Sequence, residues 1–182
     1  GFGFDRAQGW PGGDGRTVMI ADVEYGFDPT HEDLTGVTID AFGPGFSDYQ
    51  FHGNGVLGVL GAPANGYGIT GLVPAAPLMV VSPFSDPETY NVADAIDVAA
   101  SMLTAGDVLL IQQQGWRNDT YTPVEVEPAV FDAIAAAVAA GIVVIEPAGN
   151  GACDLDDPIW EGAFNRSERD SGAIMVGGGA SP

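Results

Sequence analysis

The sequence predicts an α/β fold, a mostly parallel sheet with helices on both faces, organised as one domain over residues 1–182. Three observations predict it. Short, continuously apolar runs alternate with Ala-rich stretches of helical period. Those runs are bounded by glycines and other turn formers. Hydrophobic residues make up 46% of the 182 and charged residues only 16%, which is enough apolar material for a real core. Strands that stay apolar without alternating belong to a sheet buried on both faces.

Each element follows from its own residues. Residues 17–23 are an apolar run between Gly15 and Gly26 and read as the first strand. In residues 52–61, Val56, Leu57, Val59 and Leu60 recur at near-helical spacing among small glycines. Residues 77–81 are the next strand. Residues 91–103 place Val92, Ile96, Val98 and Leu103 on an amphipathic helix. Residues 107–111 are an apolar strand behind a leading Asp107. Residues 130–140, built on Phe131, Ile134 and Val138, form a second strong helix that Gly141 stops. Residues 142–145 and 173–176 are the last two strands. The polar stretch 113–127 reads as an irregular surface excursion. Gly1-Phe2-Gly3 and Gly177-Gly178-Gly179 complete no GxGxxG motif and read as turns.

Charge and composition exclude several functions. There are 25 acidic residues against 5 arginines and no lysine, for a formal net charge of -20. Nothing here could neutralise a phosphate backbone or an anionic bilayer, so neither nucleic acid nor membrane is an expected partner. No apolar run is long enough to span a bilayer, and no signal-peptide pattern opens the chain. The single cysteine, Cys153, leaves no internal disulfide, and Asp154 and Asp156 beside it disfavour a thiolate.

The chemistry-bearing residues fall where strands end, the usual place for a site in a parallel sheet. The first strand runs into Asp22-Val23-Glu24-Tyr25-Gly26. The first helix opens with Phe51-His52-Gly53-Asn54-Gly55. A later strand runs into Glu146-Pro147-Ala148-Gly149-Asn150-Gly151. An imidazole, a carboxylate to orient it and an amide donor are parts of an acyl-transfer site. No HExxH or CxxC spacing points to a metal centre.

These segments resemble, in order, those of subtilisin-like (S8 family) serine peptidases. Residues 18–34, VMIADVEYGFDPTHEDL, are similar to the segment around the family's catalytic acid. His52-Gly53-Asn54-Gly55-Val56-Leu57-Gly58 is similar to its H-G-T-H-V-A-G. Residues 71–77 resemble its G-V-A-P-x-A, residues 107–111 the strand lining the substrate cleft, and residues 141–150 the strand ending in A-G-N. The resemblance implies a three-layer subtilisin-like fold and serine endopeptidase ancestry. It makes His52 the base, Glu24 the acid that orients it and Asn150 the oxyanion donor. It places Gln112, Gln113, Gln114, Ala148 and Gly149 along the cleft that takes a polypeptide substrate.

Two departures stand out. The acid position carries Glu24 rather than Asp, and Asp22 lies two residues earlier on the same side of the strand as the alternative orienter. No G-T-S-x-A serine motif occurs. Ser181 follows too closely on the last strand to be the nucleophile, so the C-terminal part of the fold, with its serine, is expected to be missing. His31, the other histidine, reads as structural. Glu146 reads either as a border of the first specificity pocket, favouring a basic substrate residue, or as a buried partner of a backbone donor or of Gln112. Calcium is common in the family. Asp154, Asp156 and Asp157 offer hard oxygen ligands, with a solvated acidic loop as the competing reading. No cofactor is required. The family implies secretion, and two classes remain open: part of a secreted serine endopeptidase completed by a C-terminal segment, or a non-catalytic module that keeps the fold.

Overall fold

A computed structural model describes residues 7–179. The chain divides into two compact units, one running up to Tyr90 and the other starting at Asn91. The Gly1-Phe2-Gly3 turn and Ser181 lie outside the described residues.

The first unit carries three parallel strands, β1 (Ile20–Val23), β2 (Ile39–Phe42) and β3 (Leu78–Val81). β3 lies between the other two, with Ile20 and Ile39 both paired to Leu78. β1 and β3 are buried at all four positions, as their unbroken apolar sequences require. β2, at the margin, is mostly exposed, and its mixed sequence Ile39-Asp40-Ala41-Phe42 carries no strand signal. Helix α1 (Gln50–Gly61) buries Gly53, Leu57, Gly58 and Gly61. That face is glycine-rich because the helix lies close to the strands: a Cβ on Gly61 would stand 2.7 Å from Cδ1 of Leu78. A short hairpin, β4 (Phe84–Asp86) and β5 (Thr89–Tyr90), closes the unit.

The second unit opens with α2 (Val92–Met102), capped by the Asn91 side chain, which accepts from the Asp94 N–H. β6 (Val108–Ile111), β9 (Val143–Pro147) and β10 (Ile174–Val176) are parallel, with β9 in the middle. α2 packs on α3 (Pro128–Ala139), which also packs on β9. Ile96, Ile134, Ala137, Leu109 and Val144 are essentially buried and form the core. Each fully buried aliphatic side chain stabilises by about 1.5–3 kcal/mol.

Residues 113–127 depart from the expected irregular excursion. They form an antiparallel hairpin, β7 (Gln114–Arg117) and β8 (Thr120–Pro123), and then a short 3-10 turn, Val124–Val126. Asn118 and Asp119 take the left-handed conformation at φ 53° and 59°, making the two-residue turn such hairpins prefer. Trp116 and Tyr121 pack edge to face across the strands, 4.8 Å apart. Gln113, Thr122, Val124, Glu125 and Val126 are buried, so the polar character of the stretch does not mark a solvated surface.

Candidate active site

In the first unit, β1 delivers Glu24 just past its last residue, where the Glu24 N–H donates to the Val81 carbonyl. The Glu24 side chain is fully buried, so both oxygens need donors. Oε1 accepts from the Tyr25 N–H at 2.7 Å, and Oε2 lies 2.5 Å from His52 Nδ1. A carboxylate can only accept, so Nδ1 carries the proton and Nε2 is left as the atom able to take one. The His52 side chain is 46% exposed, so that nitrogen belongs to a ring that reaches solvent.

The local sequence builds this contact. His52 sits in the first turn of α1, directly before Gly53. A Cβ on Gly53 would collide with the Gly26 carbonyl oxygen and stand 3.1 Å from Cγ of Glu24. Only glycine lets the helix start approach the acid loop so closely. Asn54 reinforces the approach, its Oδ1 accepting from the Asp28 N–H at 2.8 Å. Asp22 is also buried, at 1% exposure, but the carboxylate that His52 meets is that of Glu24. His31 serves its own loop: its Nδ1 accepts from the Asp33 N–H.

Aromatic rings flank the acid. Tyr25 lies 4.8 Å from Tyr49 and 6.0 Å from Phe84, and Phe84 lies 4.3 Å from Phe46 and 5.1 Å from Tyr90. A cavity of about 230 Å³ opens beside them, lined by Glu24, Tyr25, Phe27, Phe42 and Ser82 among others. Sequence reasoning missed these rings. The signal was there in the aromatic spacing of residues 42–51 and 84–90 around the acid and base motifs.

In the second unit, β9 runs into Ala148, Gly149 and Asn150. The Ala148 N–H donates to the Val176 carbonyl, and the Asn150 N–H donates to Gln114 Oε1 at 2.9 Å. Gly149 has φ +84°, and a Cβ there would stand 2.8 Å from the Thr122 backbone. The turn is thus pressed against β8, and Asn150 stays exposed at its tip. Gln112 and Gln114 are half-buried, whereas Gln113 is buried at 1% exposure.

Glu146 is 1% exposed; Gln112 does not reach its oxygens, and the Val124 and Glu125 backbone amides lie near them without meeting full hydrogen-bond geometry. Its neighbour is the carboxyl of Glu125, which sequence reasoning did not single out. Burial and then the Glu125 charge push the Glu146 carboxyl up to about 8.

Asp154, Asp156 and Asp157 lie in an exposed loop. Asp154 Oδ1 accepts from the Asp156 N–H, and Asp157 Oδ1 from the Ile159 N–H. Among the described residues, no three His, Cys, Asp or Glu side chains converge as a metal site. Cys153 Sγ lies 3.4 Å from Thr120 Oγ1. Among the described residues, no helix is long and apolar enough to cross a membrane.

Parallel strands with helices packed on them make this an α/β fold, with a carboxylate-oriented histidine beside a strand end. No family model matches it. Fervidolysin of Fervidobacterium pennivorans is 32% identical over a stretch covering 80% of this chain and 22% of that protein. The minor extracellular protease Epr of Bacillus subtilis is 36% identical over 41% of this chain and 12% of its own length. Among solved structures, the prenylagaramide maturation protease PagA superposes with a TM-score of 0.58 at 15% identity, covering 80% of this chain and 50% of that one. The psychrophilic subtilisin-like protease Apa1 of Pseudoalteromonas superposes with a TM-score of 0.56 at 21% identity, covering 79% and 34%. The chain belongs to the subtilisin-like, S8 family and has its α/β fold. It spans about a fifth of fervidolysin, the relative it matches over most of its own length.

Proposed function

We propose that these residues supply the acid, base and oxyanion donor of a secreted serine endopeptidase. The observation that carries the reading is the buried Glu24 carboxylate on Nδ1 of His52. In this reading a serine from the family's later segment attacks the scissile carbonyl. His52 takes the serine proton at Nε2 and returns it to the leaving amine. Glu24 fixes the tautomer and stabilises the imidazolium; it does not itself take the proton. Asn150, assigned by its A-G-N motif, donates to the oxyanion. Gln112, Gln113, Gln114, Ala148 and Gly149 border the polypeptide substrate, and Glu24 rather than Asp22 orients the base.

The reaction needs a serine nucleophile, and the 182 residues carry no G-T-S-x-A motif to supply one. A fluorophosphonate probe tests this on the complete gene product. It should label one serine, His52→Ala should abolish the label, and the 182-residue chain should stay unlabelled. A complete product that stays unlabelled, or a label indifferent to His52→Ala, contradicts the reading. The first of those results would favour a non-catalytic module that keeps the fold.

A further inference from the structure

Glu146, on β9, and Glu125, in the Val124–Val126 turn, are both out of water, at 1% and 6% exposure, and their carboxyl groups lie within interaction distance of each other. Glu125 is provided for: the Ser171 hydroxyl donates to its Oε2 at 2.5 Å. Glu146 is not, because no donor reaches either of its oxygens. The Val124 and Glu125 amides lie near enough to favour its ionised form, yet neither comes within hydrogen-bonding geometry. Among the described residues neither carboxyl makes an ion pair: Arg166, which lines the cavity beside Glu125, pairs with Asp170, and Arg117 of β7, which packs on the turn, is exposed beside Glu161. Arg169 stacks over the Phe131 ring at 3.9 Å and donates to the backbone carbonyl of Glu125, not to a carboxylate. α3, packed on both β9 and the turn, carries one ionisable residue, Asp132, and it is exposed. β6 and β10, which flank β9, carry none.

Two ionised carboxylates so placed would repel in a poorly solvated site, and Glu146 would lack any partner. One proton resolves both problems, since a protonated Glu146 can donate to Glu125. We propose that Glu125 and Glu146 share one proton. The protonated pair, braced by Ser171, is a pH-sensitive latch that holds β9 and the Ala148–Gly149–Asn150 turn it leads into against the Val124–Val126 turn. Glu125 and Ser171 also line an open cavity of about 440 Å³, which gives solvent protons a way to the pair. The latch does not depend on the peptidase reading, because every group in it lies in the second unit.

The test compares the full chain with its Glu146→Gln variant, which keeps the donor but cannot ionise. Thermal unfolding is followed from pH 5 to 9, with hydrogen exchange of the β9 amides. The latch requires the wild-type Tm to fall relative to the variant as pH rises towards about 8. The excess opening of β9 should grow by up to about tenfold per pH unit. Identical pH dependence in the two proteins overturns the proposal. Should the variant fail to fold, carboxyl carbon NMR titration of the wild type decides. One glutamate titrating near 8 supports the latch, and all glutamates titrating below about 6 refutes it.

Discussion

Glu24 and Glu146 occupy comparable places, one just past the end of a parallel strand and the other near the end of one. Both are buried, at 0% and 1% exposure. Their neighbours make them different acids. Glu24 meets an amide and an imidazole and serves as a charged acceptor. Glu146 faces another carboxyl and two amides that do not reach hydrogen-bonding geometry, so burial and repulsion hold its proton on. Burial by itself therefore says little about a carboxyl group; the donors within reach decide its role.

Substitutions can break or sharpen this contrast. The largest effect is expected at Glu24. On the proposed peptidase reading, Glu24→Gln should lower kcat by about 10⁴, because the amide no longer enforces the Nδ1–H tautomer; single-turnover acylation measures it. Asn150→Ala should lower kcat by about 10²–10³ with KM little changed, as loss of one oxyanion donor does. Steady-state kinetics on a peptide substrate separates the two parameters. Gly53→Ala tests the close approach that brings His52 to Glu24. The added methyl meets the Gly26 carbonyl and should cost about 1–3 kcal/mol in denaturant unfolding.

The Glu146 contrast is expressed in pH. Its folded-state value lies above the ordinary 4.5, so the folded chain keeps a proton that the unfolded chain releases. Stability should therefore fall as pH climbs from about 4.5 to about 8, by at most about 1.4 kcal/mol per pH unit. Glu146→Gln should flatten that fall in urea midpoints taken at several pH values.

Much of this was legible in the sequence. The strongly apolar runs became β1, β3, β6 and β9 with ends shifted by a few residues, because continuous burial leaves a continuous apolar signature. Both Ala-rich helices stand where their periodicity puts them. His52 and Glu24 were legible through the motifs that resemble those of the S8 family, with Gly26 and His31-Glu32-Asp33-Leu34 as anchors; the close approach that Gly53 allows was not. β2 was not, because a mostly exposed strand containing Asp40 need not be apolar. The β7–β8 hairpin was hidden by its polar composition, although Asn118-Asp119 between Trp116 and Tyr121 is a turn signal flanked by strand formers. The Glu125–Glu146 pair could not be read at all. It joins residues from a turn and a strand, and nothing in sequence spacing announces a contact made by tertiary packing.

The central claim is that Glu24, not Asp22, holds His52 in the Nδ1–H tautomer. Nitrogen-15 and proton NMR of the His52 ring tests it on this chain directly. The structure requires a proton on Nδ1, shifted far downfield, that disappears in Glu24→Gln and persists in Asp22→Asn. A proton on Nε2 instead, or a downfield resonance lost with Asp22 and kept without Glu24, would contradict it.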